Sequence, residues 1–314
     1  MIKPIMQPFE TQQHRVAIIG CGNVGATIAF ALTLEGIANE LILLSRDKQK
    51  ALGEKLDIEH GMPFLEHTKI TATNDYADIA GSDMVIVTAG AKQKPGQTRL
   101  DVIQTNLSII EELIPKIIQY VPEAVILIVS NPVDLLTYRA AQIANNHQGK
   151  IFGSGTTLDT SRFRVHLAEF LRVNPISIHA YILGEHGDSS FHTLSSATIG
   201  GQSIANVKGY SLDLAIDAFN RAKNAAYQII NAKGATYYAI AVVAVRITRA
   251  VLRDSRIVLP VSVPISNYYN HKDISLSVPC IIGRDGVEEV LQIKLSDEEQ
   301  QNLANSVNKL KSHL

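Results

Sequence analysis

The residue that most plainly offers chemistry is His186, in Leu183-Gly184-Glu185-His186-Gly187-Asp188-Ser189. Imidazole changes charge near neutral pH, which makes it the default general acid or base. Here it stands between glycines that allow a sharp turn and the close approach of a ligand, with carboxylates on either side. Alone, such a histidine is more often structural. To work, it needs a group that orients the ring and others that hold a substrate. Gly20-Cys21-Gly22-Asn23-Val24-Gly25 offers a second chemistry. In this spacing Gly20 makes a tight turn, Gly22 lets the backbone approach a pyrophosphate, and Gly25 lets helix and strand pack closely. The phosphate then sits on the helix N-terminus. A third stretch, Thr88 to Arg99, is polar, contains glycines and a proline, and could fold over a site as a lid. Asp159, Arg162 and Arg164 share one helical segment, where Asp159 and Arg162 face one side and Arg164 another.

The elements that must position these groups follow from periodicity. Val16–Ile19, Leu41–Leu44, Lys69–Ala72, Met84–Val87, Val125–Val129 and Lys150–Gly153 read as strands, most of them short apolar runs typical of a buried parallel sheet. Helical patterns separate them, so residues 15–154 form an α/β, doubly wound dinucleotide-binding (Rossmann) domain after an N-terminal tail, residues 1–14. Residues 155–314 read as a mixed α+β catalytic domain. It holds helices over 156–172, 211–231 and 235–253, a hairpin turning at Gly200-Gly201, strands near 257–259, 278–282 and 290–291, and a terminal helix capped by Ser296. The 235–253 helix is apolar nearly all round, which predicts burial in a core or a subunit interface.

Composition narrows the function. The 314 residues are 46% hydrophobic, enough for more than one core, and 29 Lys and Arg balance 30 Asp and Glu. That balance gives no reason to expect nucleic acid or an anionic membrane surface as partner. No apolar run reaches the length of a membrane span, and nothing at the N-terminus reads as a signal peptide. Cys21 and Cys280 lie far apart without metal-ligand spacing, so no metal is expected and the setting reads as reduced and cytoplasmic.

Taken together, the stretches GCGNVG at 20–25, TAGAKQKPGQTR at 88–99, SNPVD at 130–134, GSGTTLDTSRFR at 153–164, LGEHGDSS at 183–190 and GATYYAIA at 234–241 resemble the L-lactate/malate dehydrogenase family. The similarity covers nearly everything after residue 14 and is greatest to its bacterial, allosteric lactate-specific members. The resemblance implies reversible hydride transfer between a nicotinamide cofactor and pyruvate or (S)-lactate in a fermentative setting. His186 would then be the acid/base, with Asp159 on its other ring nitrogen. Arg162 would clamp the substrate carboxylate, Arg99 would polarise the carbonyl from the lid, and Gln93, Asn131, Asp134 and Thr236 would complete the substrate site. Gly20, Gly22, Val24, Gly25, Ser45, Arg46, Lys50, Tyr76, Gly90, Ala91, Val129, Asn131 and Ser154 would hold the cofactor.

The resemblance leaves several alternatives open. Gln93 in place of an arginine argues for pyruvate, because a second carboxylate buried without a partner is costly. Lys92 and Lys94 flank it, which keeps malate dehydrogenase or a broader 2-hydroxy acid dehydrogenase as the runner-up. The family usually has Asp where this chain has Ser45. Ser45-Arg46 either accepts the 2′-phosphate of NADP(H), or Arg46 points to solvent and NAD(H) binds regardless. Arg164 and His179 match positions that bind the effector fructose 1,6-bisphosphate at a subunit interface; the alternative is two solvated basic residues. The family and the 235–253 helix both suggest a homotetramer. A non-catalytic dinucleotide-binding protein would show a gap at His186, Arg99 or Arg162, and none is visible.

Overall fold

The computed structural model describes residues 13–91, 99–145 and 149–314, without the side chains of Arg99 and Leu100. Gln93 and most of the expected lid therefore lie outside the described residues, as does nearly all of the N-terminal tail.

The first half alternates β1 (Arg15–Ile19), α1 (Asn23–Leu34), β2 (Glu40–Leu44), α2 (Lys48–His60), β3 (Lys69–Thr73), β4 (Met84–Val87), α3 (Arg99–Tyr120), β5 (Val125–Ile128), α4 (Val133–Ala144) and β6 (Ile151–Gly153). Its strands lie in the order β3-β2-β1-β4-β5-β6, all parallel. Order reverses between β1 and β4, the switch point at which open sheets of this kind bind ligands beyond their strand ends. Strand β1 shows why the runs are apolar throughout. Val16 and Ile18 pack into one core, Ala17 and Ile19 into the other, so both faces are covered.

The second half contains α5 (Thr157–Leu171), five two-residue strands β7 (Ile178–His179), β8 (Ile182–Leu183), β9 (Phe191–His192), β10 (Thr198–Ile199) and β11 (Gln202–Ser203), then α6 (Leu212–Lys233), α7 (Tyr238–Leu252), β12 (Ile257–Ile265), β13 (Ile274–Gly283), β14 (Gly286–Val290) and α8 (Asp297–Lys311). The hairpin at Gly200-Gly201 joins β10 to β11. The large sheet does not stop at residue 154. Strand β12 pairs antiparallel with β6, and β13 and β14 follow it, giving a nine-stranded sheet.

Within the single chain α7 is buried on one side only. Tyr238 and Val242 are 66% and 65% exposed, and Arg246 continues that stripe at helical spacing. Only the opposite side, including Ala241, Ala244, Val245 and Thr248, is core. Among the described residues, no helix is long and apolar enough to cross a membrane.

Candidate active site

The site is assembled from loops at the carboxyl ends of β1, β4 and β5, together with α5 and the turn after β8. In the first of these loops Gly20 has φ +109°, and a Cβ there would come 2.7 Å from the backbone nitrogen of Ala89. At Gly25 a Cβ would collide with the Gly20 carbonyl and lie 2.8 Å from Thr88 Oγ1. The loops after β1 and β4 can touch only because both positions are glycine. A Cβ on Gly22 would meet nothing within 4 Å, and no side chain caps α1. The first-turn N–H groups thus face open space, which fits the phosphates of a dinucleotide.

Near the catalytic stretch, His186 Nδ1 lies 2.6 Å from Asp159 Oδ2, and Arg162 Nη1 donates to Asp159 Oδ1 at 3.1 Å. Helix α5 sets this pair, since residues three apart share a face. Burial disfavours charge on both partners, yet each charge stabilises the other. Burial would raise the Asp159 carboxyl, but the His186 ring and the Arg162 guanidinium hold it below the ordinary carboxylate range. Burial likewise opposes the imidazolium, but Asp159 and then Asp134 overcome it and raise the His186 pKa to about 9. These surroundings favour the protonated ring, the form that can donate. With Nδ1 engaged, Nε2 is the nitrogen available to a reactant.

His186, Asp159 and Arg162 line a cavity of about 390 Å³ with Asn131 and Thr236. Val24, Val129 and Ser154 line the same cavity from the dinucleotide side. The structure thus brings residues expected to act in catalysis, substrate binding and cofactor binding, from both halves, to one cavity. Ser45, Arg46, Lys50 and Tyr76 lie outside it, beyond the ends of β2 and β3. There Asp47 caps α2 by accepting from the N–H groups of Gln49 and Lys50. Gly90 and Ala91 are drawn towards Asn106, whose Oδ1 accepts from Ala91 N at 2.7 Å.

The expectation that Asp134 touches substrate is not met. It is 2% exposed and does not line the cavity. Its Oδ2 accepts from the His186 N–H at 2.7 Å, and its Oδ1 accepts from Ser262 Oγ at 2.6 Å. Burial pushes its pKa up to about 6 against these two donors.

Sequence reasoning missed the rest of the scaffold. Asn106 of α3, 3% exposed, also donates to the Asn131 carbonyl at 2.7 Å, so one amide joins the loops after β4 and β5. It stands on the apolar stripe of α3, between Ile103 and Ile110, and that misplaced polarity was the available signal. Ser306 of α8 accepts from Glu185 N at 2.6 Å, while Lys223 Nζ donates to the Asp188 carbonyl and Tyr227 to its carboxylate.

A lactate/malate dehydrogenase NAD-binding domain matches residues 14–153, and the corresponding α/β C-terminal domain matches residues 156–314. The chain belongs to the lactate/malate dehydrogenase family. Among its relatives, L-lactate dehydrogenase of Thermoanaerobacterium saccharolyticum is 44% identical over 93% of this chain and 95% of its own length. L-lactate dehydrogenase 1 of Clostridium acetobutylicum is 42% identical over 96% and 97%. In structure, a lactate dehydrogenase from a deep-sea metagenome library superposes with a TM-score of 0.93 at 36% identity, covering 96% of this chain and 98% of that one. Minor L-lactate dehydrogenase of Enterococcus mundtii gives 0.92 at 38% identity, covering 96% and 97%. Within this family, the open glycine loop belongs to the NAD-binding half of the chain.

Proposed function

We propose that the chain interconverts pyruvate and (S)-lactate, with His186 as acid/base. The observation that carries this reading is the His186–Asp159–Arg162 constellation on the wall of a cavity that also meets the dinucleotide loop. When bound, the reduced nicotinamide supplies hydride to the carbonyl carbon. His186 gives its Nε2 proton to the carbonyl oxygen, and Asp159 keeps the ring oriented and stabilises its charge beforehand. Arg162 holds the substrate carboxylate through a forked guanidinium that lysine cannot imitate. By resemblance to the family, Arg99 would add charge at the carbonyl oxygen, and Gln93 in place of an arginine would favour a substrate without a second carboxylate. Lactate oxidation reverses these roles: neutral His186 takes the hydroxyl proton. Loss of reduced-nicotinamide absorbance with pyruvate tests the reading. Oxidation with oxaloacetate alone would overturn it.

Three finer readings accompany it. NAD(H) is the cofactor of the family's N-terminal domain, and we read NADP(H) as also accepted. Beyond the end of β2, Ser45 is half-buried and Arg46 exposed, while the nearest acidic side chain, Asp47, turns Oδ1 to its own helix. A kcat/KM for NADH more than about a hundredfold above that for NADPH would sink this.

Arg164 and His179 form the fructose 1,6-bisphosphate site in this reading. Arg164 Nε donates to the carbonyl of Ala180, next to exposed His179, and its guanidinium lies 5.3 Å from the Tyr181 ring. If the bisphosphate leaves activity at low pyruvate unchanged, the effector reading fails. The chain assembles as a homotetramer in the cytoplasm. Exposed Phe30 and Leu34 of α1, Ile216 of α6, and Tyr238 and Val242 of α7 are the apolar groups that assembly would cover.

A further inference from the structure

The carboxylate of Asp134 is left without a role by this chemistry, yet it is buried and fully engaged. A buried carboxylate without purpose would be costly, and a neutral side chain could fill the same space. It lies in the first turn of α4, three residues beyond Asn131, where the helix dipole favours negative charge. One oxygen takes the main-chain N–H of the catalytic histidine; the other takes a hydroxyl from the middle of β12. It thus ties the Asn131 loop, the catalytic turn and the sheet together at a single side chain.

We propose that Asp134 is a positioning residue for His186, fixing its main chain through Oδ2 and adding its negative charge to that of Asp159 beside the turn. The proposal rests on His186 being the acid/base. Several charged groups surround His186, and Asp188 and, from α6, Lys223 line the same cavity. Asp159 and Arg162 come from α5 and Asp134 from α4; Glu185 is the neighbouring residue in the same turn. Of these, Asp134 and Glu185 stand off the cavity wall, and of the two it is Asp134 that bonds to His186, Glu185 being engaged with Ser189. Removing it therefore changes the charge felt by His186 without removing a substrate contact.

The test compares the parent chain with Asp134→Asn and Ser262→Ala, following kcat/KM for pyruvate against pH and the His186 ring by NMR. Asparagine preserves the shape: its oxygen can still accept from His186, and its amide can donate to Ser262. We expect the His186 midpoint, and the alkaline limb of the rate profile, to fall by roughly one pH unit in Asp134→Asn. Ser262→Ala keeps the carboxylate and leaves that midpoint in place. A loss of rate in Asp134→Asn with an unmoved midpoint would reduce Asp134 to a structural residue and overturn the proposal. Should Asp134→Asn not accumulate as folded protein, the parent suffices. Its His186 resonance must show a second, smaller inflection near pH 6, where Asp134 loses its proton, and a single-step titration overturns the proposal. Failure of the dehydrogenase reading is distinguishable, because the parent itself would then oxidise no reduced nicotinamide with pyruvate.

Discussion

His186 carries its proton at neutral pH because two carboxylates outweigh its burial. The direction of the pH dependence follows. Pyruvate reduction needs the charged ring, so its kcat/KM stays level at neutral pH and falls as pH rises through about 9. Lactate oxidation needs the neutral ring and rises over the same interval. A histidine pKa raised by folding also adds stability that is complete below the unfolded value and is lost as pH rises through the folded one. Alkaline melting measurements check this between pH 6.5 and 9. Asp159→Asn should lower kcat by roughly two to four orders of magnitude, since the amide can favour the wrong tautomer, while leaving nicotinamide binding nearly intact. Steady-state kinetics together with a dinucleotide titration separate the two effects.

Among the elements, α3 does more than cover the sheet. Asn106 bonds to the backbone at both Ala91 and Asn131, so Asn106→Ala leaves partly buried donors and acceptors unmet on two substrate-site loops. We expect a loss of roughly 1–3 kcal/mol in stability and a raised KM for pyruvate, read by thermal melting and steady-state kinetics. An unchanged KM would mean that the loops hold their shape without it. The contrast between elements explains what could be read in advance. Strands β1, β2, β4 and β5 were legible as continuous apolar runs, because both of their faces are covered. Strands β12 and β13 run longer than their apolar segments. Pro260 pairs with Pro279 across them, and Ser262, Ser275 and Ser277 are wholly buried, so prolines and serines disguise an interior pair of strands. The two-residue strands β7 to β11 carry no period at all. His186, Asp159 and Arg162 were legible as motifs. Ser262, Ser306 and Lys223 were not, because isolated polar residues far along the chain become partners only once the fold is made.

For the whole molecule, the exposed Tyr238–Val242–Arg246 stripe of α7 is the feature that an isolated chain leaves unexplained. Val242→Glu should give a folded species of lower mass in sedimentation, with the near-ultraviolet spectrum retained. An unchanged mass would remove this face from the assembly. The pairing of β12 with β6 has a mechanical consequence. Ser262 lies opposite Gly153, and just beyond it Thr156 N donates to Ser277 Oγ at 3.0 Å, so the crossing from one half to the other is tied into a single sheet. A hinge there would have to break ladder hydrogen bonds with each turnover. The two halves are thereby joined through one sheet rather than by a free linker. The distance between His186 and the glycine loop should therefore stay constant between the free and the nicotinamide-bound protein.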